Sequence, residues 1–501
     1  MIRVPTRRHD APGIAVQTGV GGPAARRPWG LVALAVLVAA ALVTAAVGWR
    51  PALYRTGLLV DGGRPTVPPT FYDALPVPRG TSASPQPGRP AATPVAAASA
   101  APSGPAPDRA ALAKALGQVD ATKMGKTSGM VLDARTGQLL WARDQGRNLV
   151  PASTMKVLTC AAALDALGPD HRFTTRALLD GSRLVLVGAG DPYLASKPGK
   201  DYPHPGTSAA LAQQVAAALK AKGATTVSLG FDESLFSGPG WNPNWPTSYA
   251  DQVSTIGALW IDQGRPSDKE SPSATPGASA ATVFAAQLKA QGITVEGEPA
   301  AAKAADTAEQ VGAVQSLPVS VLVQETLVHS DNSAAEVLLR HVGTAGGQGG
   351  SFTGGAKALA QRLDAMGVMA PAKGLPATTA PRLLDGSGLS RGNQVSAQLL
   401  ARVLQHAAVT PRLSALHEGL PAAGVTGTLH ARFYTPASEA GRGIVKAKTG
   451  TLSKVSTLAG RTRTRAGGEV VFAFMSNSPQ QEWDVRSWLD QMSTTLATCR
   501  C

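Results

Sequence analysis

The stretch "LVPASTMKVLTC", Leu149 to Cys160, reads as a chain entering an apolar helix, with a serine and a lysine three positions apart, Ser153 and Lys156. A spacing of three puts both side chains on one helical face, about one turn apart. Met155, Val157 and Leu158 flank that lysine, so its amine would be partly desolvated. Desolvation disfavours the charged form, and a neutral amine can take a proton from a hydroxyl. Taken alone, the pair also reads as an ordinary helix N-terminus with a lysine snorkelling to water. The rest of the chain decides between the two.

The chain has 501 residues, enough for about two or three domains. Its net charge of +14 is uneven: residues 1–60 hold seven arginines and one acid, Asp10. Gly30 to Gly48 is nineteen residues without a charge, bracketed by Trp29 and Trp49, long enough to cross a bilayer as a helix. Arg26 and Arg27 precede it, so residues 1–28 form a basic tail expected to stay in the cytoplasm. Residues 29–49 read as a retained membrane anchor. The alternative is a signal peptide cleaved near Val43-Thr44-Ala45, which would release the protein to the cell wall. Either way, everything after Arg50 is exported. Val60 to Pro107 contains twelve prolines in forty-eight residues, and residues 50–107 read as an extended Pro/Ala/Ser-rich linker without a core.

Several function classes are disfavoured. Basic residues outside the tail are scattered, and the one tight cluster, RTRTR at 461–465, reads as a solvated strand edge or hairpin, so no nucleic-acid partner is implied. Eight histidines occur without HExxH or paired ligand spacing, so neither a metal nor another cofactor is expected. HVGTAGGQGGSFTGGAK (341–357) lacks Gly-Lys-Ser/Thr and reads as a flexible connection, not a phosphate loop. Of the three cysteines, Cys160 reads as a buried small hydrophobe, and Cys499 and Cys501 are too few for a disulfide framework.

From Asp108 the pattern becomes globular. ALAKALGQV (111–119) is helical, and MVLDARTGQLLWAR (130–143) reads as two strands about a turn at 135–137. Residues 317–342 read as two helices parted near Ser330. IVKAKTG, KVSTLAGRTRT and GEVVFAFMS form three successive strands, and a last helix carries Val485, Trp488, Leu489, Met492 and Leu496 on one face. Antiparallel strands with helices at both chain ends predict an α+β fold, a sheet covered by helices.

Three short motifs then occur in order: Ser153-Thr154-Met155-Lys156, Ser330-Asp331-Asn332 and Lys448-Thr449-Gly450. SxxK, SxN and KTG in this order are the set of penicillin-binding proteins and class A β-lactamases. Around them, PASTMKVLT, LVGAGDPYL, SDNSAAEVLLR, DGSGLSRGNQVS (385–396), GVTGTLHARF (424–433) and KAKTGTL narrow the match. On these stretches the chain resembles the low-molecular-mass penicillin-binding proteins of the D-alanyl-D-alanine carboxypeptidase/endopeptidase family, peptidase family S13. The resemblance implies a penicillin-binding protein/β-lactamase-like transpeptidase fold, an antiparallel sheet flanked by helices plus a helical lobe. It places a DD-peptidase domain at 108–190 and 316–501, with a reduced accessory insertion at 191–315.

The resemblance also implies roles. Ser153 is the nucleophile on peptidoglycan peptides, Lys156 the base, Ser330 the proton relay, and Asn332 a partner of Lys156 and of the substrate amide. Lys448, Thr449, Gly450 and Thr451 bind substrate, and the N–H groups of Ser153 and Thr451 form the oxyanion hole. β-Lactam antibiotics are expected as covalent inhibitors. Asp331 reads as a helix cap and Asp191 and Asp385 as turn residues, while Arg391 meets either a substrate carboxylate or a structural acid. Two other readings share the motifs, a serine β-lactamase and a non-catalytic penicillin-binding scaffold or sensor. Class A β-lactamases use a glutamate to deacylate, and no glutamate lies between Val337 and His417.

Overall fold

A computed structural model describes Pro105 and residues 107–199, 203–265, 271–370 and 379–501. The anchor segment 29–49 and nearly all of the linker lie outside the described residues. Among the described residues no helix is long and apolar enough to cross a membrane.

In chain order the chain forms helix α1 (Arg109–Gly117), strands β1 (Lys126–Asp133), β2 (Leu139–Arg143) and β3 (Asn148–Leu149), and helix α2 (Met155–Leu167). Strands β4 (Thr174–Asp180) and β5 (Arg183–Val187), α3 (Ser208–Ala221), β6 (Thr226–Asp232), α4 (Pro276–Ala290), β7 (Thr294–Ala301) and β8 (Glu309–Gln315) follow. Then come α5 (Val319–Val328), α6 (Asn332–Ala345), α7 (Phe352–Ala365), β9 (Val395–Ser396), α8 (Ala397–Ala408) and α9 (Ser414–Glu418). The chain closes with β10 (Lys446–Leu452), β11 (Val455–Arg463), β12 (Glu469–Asn477) and α10 (Glu482–Thr498).

The first sheet has the order β10-β11-β12-β1-β2 and is antiparallel throughout. Its two faces follow from the two-residue period of a strand. Met130, Leu132, Val471, Ala473 and Met475 pack with α2 and α8, whereas the alternate residues Val131, Phe472 and Phe474 pack with α1 and α10. Val485, Trp488, Leu489, Met492 and Leu496 all enter that second layer. Cys499 and Cys501 are joined as a disulfide and lie against it. Arg463 pairs with Glu469 at the β11–β12 turn, which makes RTRTR the end of a hairpin.

The second sheet has the order β7-β6-β5-β4-β8. Its β5–β6 and β6–β7 pairs are parallel, as strands joined through the crossover helices α3 and α4 can be. It takes its strands from 174 to 315. Ala177, Leu184 and Leu186 on β4 and β5 pack with Leu211 and Val215 of α3 and Phe284 of α4.

Helix α2 is buried from Met155 to Leu164, on every side. A helix that is apolar all round belongs in a core, and it leaves Lys156 no route to water. Cys160 is fully buried in the same cluster.

Phe474 lies against Trp141, Phe472 and Trp488, with ring centroids 5.9, 5.1 and 6.4 Å away. Phe474→Ala should lower unfolding free energy by about 3–5 kcal/mol, read from chemical denaturation. A loss below ~1 kcal/mol would mean that this layer is loosely packed.

Candidate active site

The chain reaches Ser153 through a turn held from the sheet. Asn477, the last residue of β12, brackets Val150, with its Oδ1 accepting from the Val150 N–H at 2.9 Å and its amide donating to the Val150 carbonyl at 3.2 Å. The hydroxyls of Thr154 and Thr457 both donate to the Pro151 carbonyl at 2.7 Å. Ala152 takes a left-handed φ of 47°, and one 3-10 turn, Ala152–Thr154, precedes α2. Gly450 of β10 packs straight onto this turn. A Cβ there would overlap the Thr457 hydroxyl and come within 2.6 Å of the Pro151 carbonyl, so the last residue of KTG must lack a side chain.

Lys156 is fully buried. Its Nζ donates to Ser153 Oγ at 3.0 Å, to Asn332 Oδ1 at 2.7 Å and to the Ser387 carbonyl at 2.8 Å. Three acceptors saturate an ammonium. Burial lowers its pKa to about 8, against the opposing pull of Glu336, Asp385 and Asp331. Once neutral, the amine has a lone pair for the Ser153 proton.

Ser330 joins α5 to α6 with a left-handed φ of 57°. Asp331 caps α6 by accepting from the Ala334 N–H at 2.9 Å, so it serves the backbone. The buried Lys448 donates to Ser330 Oγ at 2.9 Å and to the Thr449 carbonyl at 2.8 Å. Burial, then the nearby Lys156, holds its pKa well below the ordinary lysine value. The Thr449 hydroxyl donates to that of Thr428 at 2.8 Å.

These residues surround a cavity of about 590 Å³. Ser153, Ser330, Asn332 and Thr451 line it, while Lys156, Lys448, Thr449 and Gly450 lie behind its lining. Arg391 also lines it and donates to the Ser453 carbonyl at 3.0 Å. Asp385 is a buried turn residue that accepts from the Gly388 and Ser390 N–H groups and from Asn393. Asp191 is likewise a turn residue, accepting from the Tyr193 N–H, and burial pushes its pKa up to about 7.

Sequence reasoning missed one wall. Ser248, Tyr249, Asp251 and Gln252, from the segment between β6 and α4, line the cavity together with Leu389 and Arg391. The Gln252 carbonyl accepts from the Asn332 amide at 2.9 Å, taking one of the two N–H donors of the group expected to meet the substrate. Trp245 Nε1 donates to Asp385 at 2.8 Å, and the Ser254 N–H to Ser333 Oγ at 3.0 Å, tying this segment to the loop after α7 and to α6. The available signal is the aromatic run WNPNWPTSY, 241–249, inside a region otherwise read as accessory.

The profile of the D-Ala-D-Ala carboxypeptidase 3 (S13) family matches residues 109–277 and 257–498. The chain belongs to that family. It is 36% identical over 411 residues to a carboxypeptidase of Mycobacterium tuberculosis, covering 79% of this chain and 85% of the relative. To the carboxypeptidase DacB of Mycolicibacterium smegmatis it is 33% identical over 412 residues, covering 80% and 86%. In structure it is similar to penicillin-binding protein 4 of Haemophilus influenzae, with a TM-score of 0.60 at 22% identity over 78% of this chain and 98% of that one. The fold is therefore that of the penicillin-binding proteins.

The lowered pKa of Lys156 fixes a pH dependence. If its neutral amine is the base, acylation by a penicillin should rise with pH and level off above about 8. Lys156→Arg, which stays protonated, should acylate roughly 10²–10⁴-fold more slowly. Stopped-flow labelling from about pH 6 to 10, spanning that titration, checks both, and a flat wild-type profile would remove Lys156 from the role.

Proposed function

We propose that this chain is a wall-facing serine D-alanyl-D-alanine carboxypeptidase/endopeptidase, acting on peptidoglycan stem peptides through an acyl-serine. The observation that carries this is the Lys156 Nζ–Ser153 Oγ contact of 3.0 Å at the cavity, with Ser330 on its lining and Lys448 behind that serine. Ser153 Oγ attacks the carbonyl between two D-alanines as its proton passes to the neutral Lys156. The oxyanion forms against the N–H groups of Ser153 and Thr451. Ser330 relays to the leaving amine the proton that Lys156 took, giving up its own hydroxyl proton as it receives that one, with Lys448 orienting its hydroxyl. The C–N bond breaks, and water then hydrolyses the ester to free Ser153. Asn332 fixes the Lys156 amine, and the charge of Lys448 with the Thr449 and Thr451 hydroxyls favours the terminal carboxylate.

A β-lactam presents the same acyl-D-Ala-D-Ala geometry and would acylate Ser153. Fluorescent penicillin should label the wild type covalently, and Ser153→Ala should lose all labelling with an unchanged melting temperature. With purified muropeptides the wild type should release terminal D-Ala or open cross-links. The glutamate-free stretch from Val337 to His417 supports slow hydrolysis of the penicilloyl ester. Intact-mass spectra should show that adduct outlasting one peptide turnover, whereas rapid multiple turnover of penicillin would make the protein a β-lactamase.

The domain division belongs to the same reading: a DD-peptidase body with an insertion before the SxN motif, behind a linker and a single-pass N-terminal anchor. The arginines on one side of residues 30–48 support that topology. External protease on intact cells should cut the 60–107 linker and release an active domain. Active protein found in the medium without protease would show that the segment is a cleaved signal.

A further inference from the structure

One fully buried carboxylate near the site has no part in that mechanism. Glu336 projects from α6, one turn beyond Asn332, and is completely inaccessible. Both its oxygens accept from the Gly386 N–H at 3.0 Å, and Oε1 also accepts from the Ser387 N–H at 2.7 Å. The Ser387 hydroxyl bonds the same carboxylate. The carbonyl of Ser387 is in turn the third acceptor of Lys156 Nζ. The next residue, Gly388 (φ 86°), abuts Ala152, so closely that a Cβ would overlap the Ala152 carbonyl. Further ties on this loop include the Thr159 hydroxyl on the Gly386 carbonyl at 2.8 Å, the turn built by Asp385 and the Trp245 Nε1 bond to that carboxylate.

We propose that Glu336 is a positioning residue for the proton-transfer step: its carboxylate fixes the 386–387 peptide and thereby holds the Lys156 amine against Ser153. This rests on the reading of Lys156 as the base. The titratable groups around that amine are Glu336 on α6, Asp331 at its start, Asp385 in the loop, the Cys160 thiol on α2 and Lys448 on β10. Around Glu336 itself stand Asp385 and, on its own helix, Arg340. Burial and then Asp385 push the pKa of Glu336 up, and its hydrogen bonds from Ser387 and Gly386 push it back.

The test compares penicillin acylation rates against pH for wild type, Glu336→Gln and Glu336→Asp, with melting temperatures beside them. Removing the negative charge lowers the pKa of Lys156. E336Q should therefore show a pH midpoint displaced downward, and separately, with the 386–387 peptide released, a plateau rate lower by about tenfold or more. E336D should keep the wild-type midpoint and stay slower. A folded E336Q with the wild-type melting temperature and the wild-type plateau rate overturns the proposal, whatever its midpoint, because the lost charge alone displaces the midpoint without any positioning. If E336Q does not fold, Ser387→Ala, which removes one hydroxyl from that carboxylate, decides the matter: a slower rate and a lower midpoint support the proposal, and wild-type values overturn it. Failure of the wild type itself to be labelled would instead sink the reading of Ser153 and Lys156.

Discussion

An amine buried inside an apolar helix must find acceptors for all of its protons, and the three that Lys156 finds come from three separate parts of the chain. Ser153 is on its own segment, Asn332 opens α6, and Ser387 belongs to the loop after α7. Each element must be docked before the amine is satisfied, so one side chain couples the helical lobe to the turn off the sheet. The same docking leaves the amine dry, which lowers its pKa to about 8. Burial thus serves assembly and the proposed chemistry together: the packing that completes the core also yields an amine able to act as the proposed base.

Two residues of the site hold backbone conformations that L residues avoid. Ala152 and Ser330 have φ values of 47° and 57°, each a cost of about 1–3 kcal/mol. The neighbours show why both persist. The Pro151 carbonyl is held by two hydroxyls, and Gly388 and Gly450 leave room for the turn where any side chain would expel it. Ser330 is fixed by Asp331, whose N–H donates to the Thr326 carbonyl and whose side chain caps α6. The strain aims one hydroxyl at each of the two buried amines.

What could be read from sequence and what could not divide along physical lines. Strand alternation at 126–143 and 446–477 and the amphipathic face of α10 are local patterns, and the first sheet follows from them. The three motifs are legible because each is a short run whose residue types are constrained together. Thr428, Gln252 and Glu336 are different, since their meaning lies in a partner far along the chain: Thr449, Asn332 and the 386–387 peptide. Glu336 leaves a faint trace, an acid flanked by Ala334, Ala335, Val337, Leu338 and Leu339, all fully buried. An acid in so apolar a run has to meet donors somewhere, but sequence does not say which.

The two buried lysines also differ in a way that motif reading flattens. Lys156 has Glu336, Asp385 and Asp331 acting on it. Lys448 is opposed by burial and by Lys156, and the acidic group acting on it is the Cys160 thiol. Burial pushes that thiol up to about 12, so near neutral pH it carries no charge. Two ammonium groups in a dry interior repel strongly, and Lys448 has less to compensate it. Without an anion in the cleft, its proton is the more weakly held. A substrate carboxylate arriving beside Thr451 would supply the missing anion and tighten the hold of Lys448 on its proton.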